Sequence, residues 1–202
     1  MRHGRGLACP GTVTLAGLAI LATACHLGLA PRLAAALVAD ADRIRAGELW
    51  RLATGPLVHA TWGHLLRDLA VLAVVGVPCE APRGRAWWPL CAVTLLAPPL
   101  AVVAAGWHCY LGLSGLGHGL IAAVLAHELL RGRRPPWLVA AALGLLAKLM
   151  IEGATGAALF PMDLGPGVVQ VPLAHSAGVL AGVAVAWIEA PRAARACGLR
   201  VT

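Results

Sequence analysis

Three runs without a charged residue constrain this chain more than any other feature: Val13 to Ala30, Trp87 to Trp107 and Val168 to Ile188. A helix needs ~20 mostly apolar residues to cross the hydrocarbon core of a bilayer. Inside that core every backbone polar group must be bonded within the protein, which leaves helices or closed barrels. Unbroken apolar runs of this length, rather than alternation, select helices. Weaker runs complete a set at about Leu57 to Val77, Leu113 to Leu130 and Trp137 to Ile151. The chain is 59% hydrophobic and 12% charged, whereas a soluble domain carries roughly 25% charged residues. One soluble core of this size cannot hide so much apolar surface. The expectation is an all-α membrane protein, a six-transmembrane-helix bundle forming a single integral membrane domain over residues 1–202. The first run is expected to stay in place. It is too long, and too poorly followed by a cleavage site, for a removed signal peptide, although Ala22-Thr23-Ala24 approaches one.

The net charge of +7 invites a nucleic-acid reading, but its distribution opposes one. With six spans, Arg2, Arg5, Arg83, Arg85, Arg131, Arg133, Arg134, Arg192, Arg195 and Arg200 all fall on one side. The other side holds Arg32, Arg43, Arg45 and Arg51, in one loop with acidic neighbours. This asymmetry places both termini in the cytoplasm. The expected partner is therefore the lipid bilayer and not nucleic acid. Cys9, Cys79 and Cys197 fall on the cytoplasmic side, Cys25 and Cys91 within spans, and Cys109 alone near the outer face, so no structural disulfide is expected.

The long segment from about Pro31 to Pro56 reads as a short interfacial helix or a folded loop on the outer side. Gly153 to Pro172 is rich in Gly and Pro and reads as irregular. Pro98-Pro99 should kink the third span or break its hydrogen-bond ladder. Gly178-x-x-x-Gly182 permits close approach of a neighbouring helix.

Ser114 stands between Gly112, Leu113 and Gly115, where a short loop becomes a helix. The glycines permit a tight turn, and free amides at a helix start can stabilise an oxyanion. In a small-residue helix a serine is also a packing residue. His175 lies in the sixth span, and an ionisable residue there is a functional candidate. The plain alternative is a histidine bonded to a nearby carbonyl. His118 follows Ser114 by one helical turn on the same face. It is a second candidate base, or a group that orients or hydrates the site.

His59, His64 and Asp68 form a third group at the start of span 2. At about 100° per residue His64 and Asp68 share a face, while His59 lies about 140° from His64. His64 is a candidate oxyanion donor or acid/base partner, and Asp68 a group that orients it through a hydrogen bond. A metal set of His64, Asp68, His118 and His175 has no zinc-type spacing, so no metal and no cofactor is expected. Lys148 and Glu152 are four apart and read as a structural ion pair, with a proton path as the alternative. No acidic third member is evident beside Ser114 and His175, so a dyad is expected rather than a triad.

Together these groups resemble the rhomboid family of intramembrane serine proteases over about Gly47 to Trp187. Gly47-Glu48-Leu49-Trp50-Arg51-Leu52-Ala53-Thr54 is similar to the family's Trp-Arg loop motif, and His59-x4-His64-x3-Asp68 to its His-x4-His-x3-Asn pattern. Gly112-x-Ser114-Gly115 and Ala174-His175-x-x-Gly178 are similar to its nucleophile and base motifs. Glu80 and Gly84 also fall where the family often has Glu and Gly. The run Gly112 to Leu120, with Lys148 and Glu152, resembles the rhombosortase subfamily. One departure is Asp68, where the family mostly has Asn. An ionised carboxylate cannot donate to an oxyanion, so Asp68 is either protonated, which burial favours, or has another role such as orienting His64.

The resemblance implies a serine endopeptidase with Ser114 as nucleophile and His175 as base. Backbone amides near Ser114, Leu113 included, and His64 would hold the oxyanion, with Asp68 and His118 as secondary positions. The implied partner is a membrane-anchored protein substrate with a C-terminal Gly-Gly signal, entering between spans 2 and 5. The implied location is a bacterial inner membrane with the site towards the periplasm. Two rivals are a non-catalytic rhomboid-like protein that binds membrane helices and a proton-coupled transporter using Lys148, Glu152 and the histidines.

Overall fold

The computed structural model describes residues 9–196, with side chains to residue 190. Arg2, Arg5, His3, Cys197, Arg200 and the side chains of Arg192 and Arg195 lie outside the described residues. The chain is almost wholly helical. α1 (Pro10–Ala24) runs on through a π turn (Cys25–Leu29) and stops at Gly28, whose φ of 135° is non-helical. The segment that follows holds α2 (Pro31–Leu37), β1 (Ala39–Asp40), α3 (Ala41–Arg45) and α4 (Arg51–Thr54).

This segment is a folded plate rather than one interfacial helix. A helix leaves its last carbonyls without intrahelical partners. At the end of α2, Arg51 Nη1 donates to the carbonyls of Ala35 (2.7 Å) and Val38 (2.8 Å). Trp50 Nε1 donates to Ala36 and the Thr54 hydroxyl to Leu37. Four successive carbonyls are thereby satisfied by the Trp-Arg motif. Arg51 is 6% exposed and its charge is met by Glu48 at 2.7 Å.

α5 (Trp62–Val71) is N-capped by Thr61, whose hydroxyl accepts from the His64 amide. It passes through a π turn (Leu72–Gly76) into α6 (Val77–Arg83). Pro78 offers no amide to the ladder, which accounts for the widened turn before it. The helix breaks at Gly84 (φ 52°) and resumes as α7 (Trp87–Ala104). β2 (Cys109–Tyr110) pairs antiparallel with β1, Ala39 opposite Tyr110. α8 (Ser114–Leu130), α9 (Pro136–Thr155) and α10 (Pro172–Ala196) follow.

Four helical stretches are long and apolar enough to cross a membrane: Pro10–Leu29, Trp62–Ala104, Pro136–Thr155 and Pro172–Ala190. The second is 43 residues long and joins the two spans expected at 57–77 and 87–107. α8 is a shorter apolar helix. α7 continues as one helix through Pro98-Pro99, whose missing amides leave two rungs of its hydrogen-bond ladder without a donor. Leu21, Val74, Leu143, Met150, Leu180 and Trp187 point outward and exposed, as suits a surface solvated by lipid.

α8 packs most extensively on α10. The reason is a pair of glycine ladders, Gly115 and Gly119 against Gly178 and Gly182. A Cβ on Gly178 would collide with the Gly115 carbonyl, and one on Gly182 with the Gly119 carbonyl. The two backbones therefore touch, running parallel. Pro98 of α7 fills the other side of Gly115. At one end of the bundle, Glu80 accepts from the amides of Gly11 and Thr12 (both 2.7 Å) and from the Thr12 hydroxyl. This caps the start of α1.

Candidate active site

Ser114 is the first residue of α8, and His175 lies in the first turn of α10. The parallel glycine contact sets these two helix starts side by side. Ser114 is half-buried and His175 buried. Both line two cavities. One, about 250 Å3, opens among His64, Arg67, Tyr110, Val169 and Val171. The other, about 320 Å3, lies between α5 and α9 and is walled by Val71, Ile121, Leu145, Lys148 and Phe160.

The turn ahead of Ser114 is fixed from α5. Gly112 has φ 99°, where a side chain is strained, and a Cβ there would sit 2.6 Å from His64 Nε2. The Leu113 amide donates to Asp68 Oδ2 at 2.8 Å. Leu113 N–H, named by resemblance among the oxyanion donors, is thus engaged by a carboxylate. Asp68 acts as an acceptor that braces the turn, which explains how a carboxylate fits where the family pattern has Asn.

His59 joins this group, contrary to the helical projection. α5 begins only at Trp62, so His59 precedes the helix and the angular arithmetic does not apply to it. Its Nε2 is 3.2 Å from Asp68 Oδ2, and His64 Nε2 is 3.5 Å from the same atom. The His59 and His64 rings meet edge to face at 4.9 Å. His59 Nδ1 lies against the Thr23 hydroxyl (3.1 Å) and the Leu57 carbonyl (3.2 Å). The ligand atoms of His59, His64 and Asp68 all fall within 4.8 Å, which makes them the group, among the described residues, able to hold a metal ion. It differs from the set considered on sequence, because His118 and His175 belong to a separate cluster.

In that second cluster the His118 ring stacks on His175, centroids 4.1 Å apart and 20° from parallel. His118 Nδ1 lies 2.7 Å from the Ser114 carbonyl, and as a ring N–H facing an acceptor it donates there. The behaviour fits a group that seats the His175 ring rather than one that takes the Ser114 proton. On its far side His175 Nδ1 lies 2.9 Å from Glu152 Oε2. Glu152 is 1% exposed, receives Lys148 Nζ at 2.6 Å and the Leu159 amide at 3.0 Å, and leaves Lys148 Nζ 3.2 Å from His175 Nδ1. An acid therefore does stand behind His175. Its separation from His175 in the chain, across a Gly- and Pro-rich loop, hid it. The available signal was a carboxylate in an apolar span.

Tyr110 is a further residue that sequence reasoning missed. It is buried, and its hydroxyl faces the Ser114 side chain and the Gly115 amide without a well-formed hydrogen bond to either. Burial raises its phenol above the ordinary value. The β1–β2 pairing holds it there, and a lone tyrosine in a short loop gives no periodic signal.

The sequence model of the Rhomboid domain matches residues 46–192. The chain belongs to the rhomboid family. No curated protein matches the chain. Rhomboid membership, with several long apolar helices, makes this a multi-pass helical membrane protein of intramembrane-protease or rhomboid-like type. The rhomboid match spans both side-chain clusters, from the plate at Arg51 to α10. Thr23, which touches His59, is supplied from outside it.

Proposed function

We propose that this rhomboid is a serine endopeptidase that cleaves a peptide bond in or near the membrane anchor of an exported protein. The observation that carries the proposal is the placement of Ser114 and His175 at adjoining helix starts, both facing the same two cavities. With six spans, the arginine distribution supports cytoplasmic termini and a site on the opposite, periplasmic side.

In the proposed reaction His175 Nε2 accepts the Ser114 hydroxyl proton while Oγ bonds to the scissile carbonyl carbon. The oxyanion is held by free amides at the α8 start, those of Ser114 and Gly115, and by His64, each good donor being worth ~3–4 kcal/mol. Collapse breaks the C–N bond, and His175 returns the proton to the leaving amine. Water then hydrolyses the ester, with His175 again as base. The cavity between α5 and α9 suits an unwound substrate segment arriving from lipid. Resemblance to rhombosortases narrows the substrate to proteins with a C-terminal Gly-Gly signal, whose glycines ease unwinding.

Fluorophosphonate labelling of the detergent-purified protein tests the reading. Wild type should label, and Ser114→Ala and His175→Ala should not. A folded wild type that stays unlabelled would count for the non-catalytic helix-binding alternative.

A further inference from the structure

We infer that Glu152 is the positioning acid of the site, converting the Ser114–His175 pair into a triad, with Lys148 as its counter-charge. The inference rests on the proposed Ser114 and His175 chemistry. It comes from three contacts on one buried carboxylate: Oε2 to His175 Nδ1 at 2.9 Å, Oε1 to Lys148 Nζ at 2.6 Å and Oε1 to the Leu159 amide at 3.0 Å.

A histidine has two neutral tautomers, and its partners choose between them. An ionised carboxylate can only accept. At 2.9 Å it would repel a lone pair on His175 Nδ1, so it holds the proton there. Nε2 is then left with its lone pair, the form that can take a proton from Ser114. Lys148 Nζ, 3.2 Å from the same Nδ1, acts in the opposite sense. An ammonium can only donate, so alone it would draw out the Nδ1 lone pair and put the proton on Nε2, leaving no base towards Ser114. The shorter bond to Glu152 decides the matter.

Two further features fit this assignment. A buried carboxylate is costly unless paired and bonded. Here one charge and two further donors meet it, so it stays ionised and in place. When His175 gains its second proton, the Glu152 carboxylate faces the new positive charge across one hydrogen bond, the role an acid plays in a Ser-His-acid triad. His118, stacked on one face of the ring, fixes the plane in which that bond lies.

A purely structural ion pair makes a different prediction from a positioning acid. The test measures the limiting rate and half-saturation of fluorophosphonate labelling, together with nitrogen NMR of the His175 ring. Its variants are wild type, Glu152→Gln, Glu152→Asp and the neutral pair Glu152→Gln with Lys148→Met. The expected result is that Glu152→Gln lowers the limiting rate by about 1,000-fold or more at unchanged half-saturation, as wrong-tautomer substitutions do. Glu152→Asp recovers part of the loss, and the neutral pair stays slow. In the NMR spectrum the ring proton sits on Nδ1 in wild type and on Nε2 in Glu152→Gln. The inference is overturned if Glu152→Gln labels within about threefold of wild type, or if the neutral pair restores the rate. Should Glu152→Gln alone misfold around an unpaired lysine, the neutral pair, which buries no lone charge, decides the same question. If wild type and Ser114→Ala are equally unlabelled, the protease reading has failed. The ring tautomer then judges the Glu152–His175 geometry by itself, and a proton on Nε2 in wild type overturns that too.

Discussion

Gly119→Ala adds one methyl group at the crossing of three helices. An ideal Cβ there lies 2.6 Å from Thr94 Cγ2 and 2.8 Å from the Gly178 carbonyl oxygen. Ordinary contact begins near 3.4 Å, so the methyl falls about 0.6–0.8 Å short on each side. Thr94 cannot yield by rotation without loss. It is buried, and its hydroxyl is bonded to the Leu90 carbonyl at 2.8 Å. The Gly178 oxygen is backbone. The helices themselves must separate, at an overpacking cost of about 1–3 kcal/mol. Alanine returns about 1 kcal/mol through helix propensity. The net loss of stability should therefore be small, about 0–2 kcal/mol. Activity should suffer more, because α8 carries Ser114 and α10 carries His175. A misplacement approaching 1 Å costs on the order of 100-fold in rate, so a loss of about 10- to 100-fold is expected. Thermal unfolding in detergent and the fluorophosphonate labelling rate measure the two effects on one sample. An unchanged labelling rate, or a raised melting temperature with full activity, would refute the idea that the glycine contact sets the distance between these residues.

Other expectations concern the scaffold. Arg51→Lys cannot reach Glu48 and two carbonyls with one ammonium, and should lower stability by about 2–4 kcal/mol in thermal or denaturant unfolding. A loss within about 0.5 kcal/mol would show that the plate does not depend on the guanidinium. Asp68→Asn keeps an acceptor for the Leu113 amide and should label nearly as wild type. Asp68→Ala leaves that buried amide unpaired, costs about 1–3 kcal/mol and should label slowly. Equal losses in the two variants would mean that the carboxylate charge itself is required. Glu80→Ala strips three bonds from the start of α1 and should destabilise by about 2 kcal/mol or more without changing the labelling rate of the folded fraction.

The apolar runs marked the helices because lipid leaves the backbone no alternative. α8, α9 and α10 begin within a few residues of the expected spans. Span 2 was placed too early at Leu57, since apolarity does not reveal that Thr61 caps the helix. The same error separated His59 from His64. Ser114 and His175 were readable because short motifs surround them. Glu152 was visible only as the partner of Lys148, because its bond to His175 depends on how α9 leans on α10. The outer plate was legible as polar and amphipathic, whereas its carbonyl-by-carbonyl closure is a tertiary fact.

α9 is the least enclosed of the long apolar helices, with 11% of its apolar window buried, yet it carries both Lys148 and Glu152. It also forms one wall of the cavity that opens towards α5. Widening that cavity by moving α9 outward would stretch the Glu152–His175 bond, while returning α9 restores it. The helix that walls the cavity is thus also the one that carries the carboxylate beside His175.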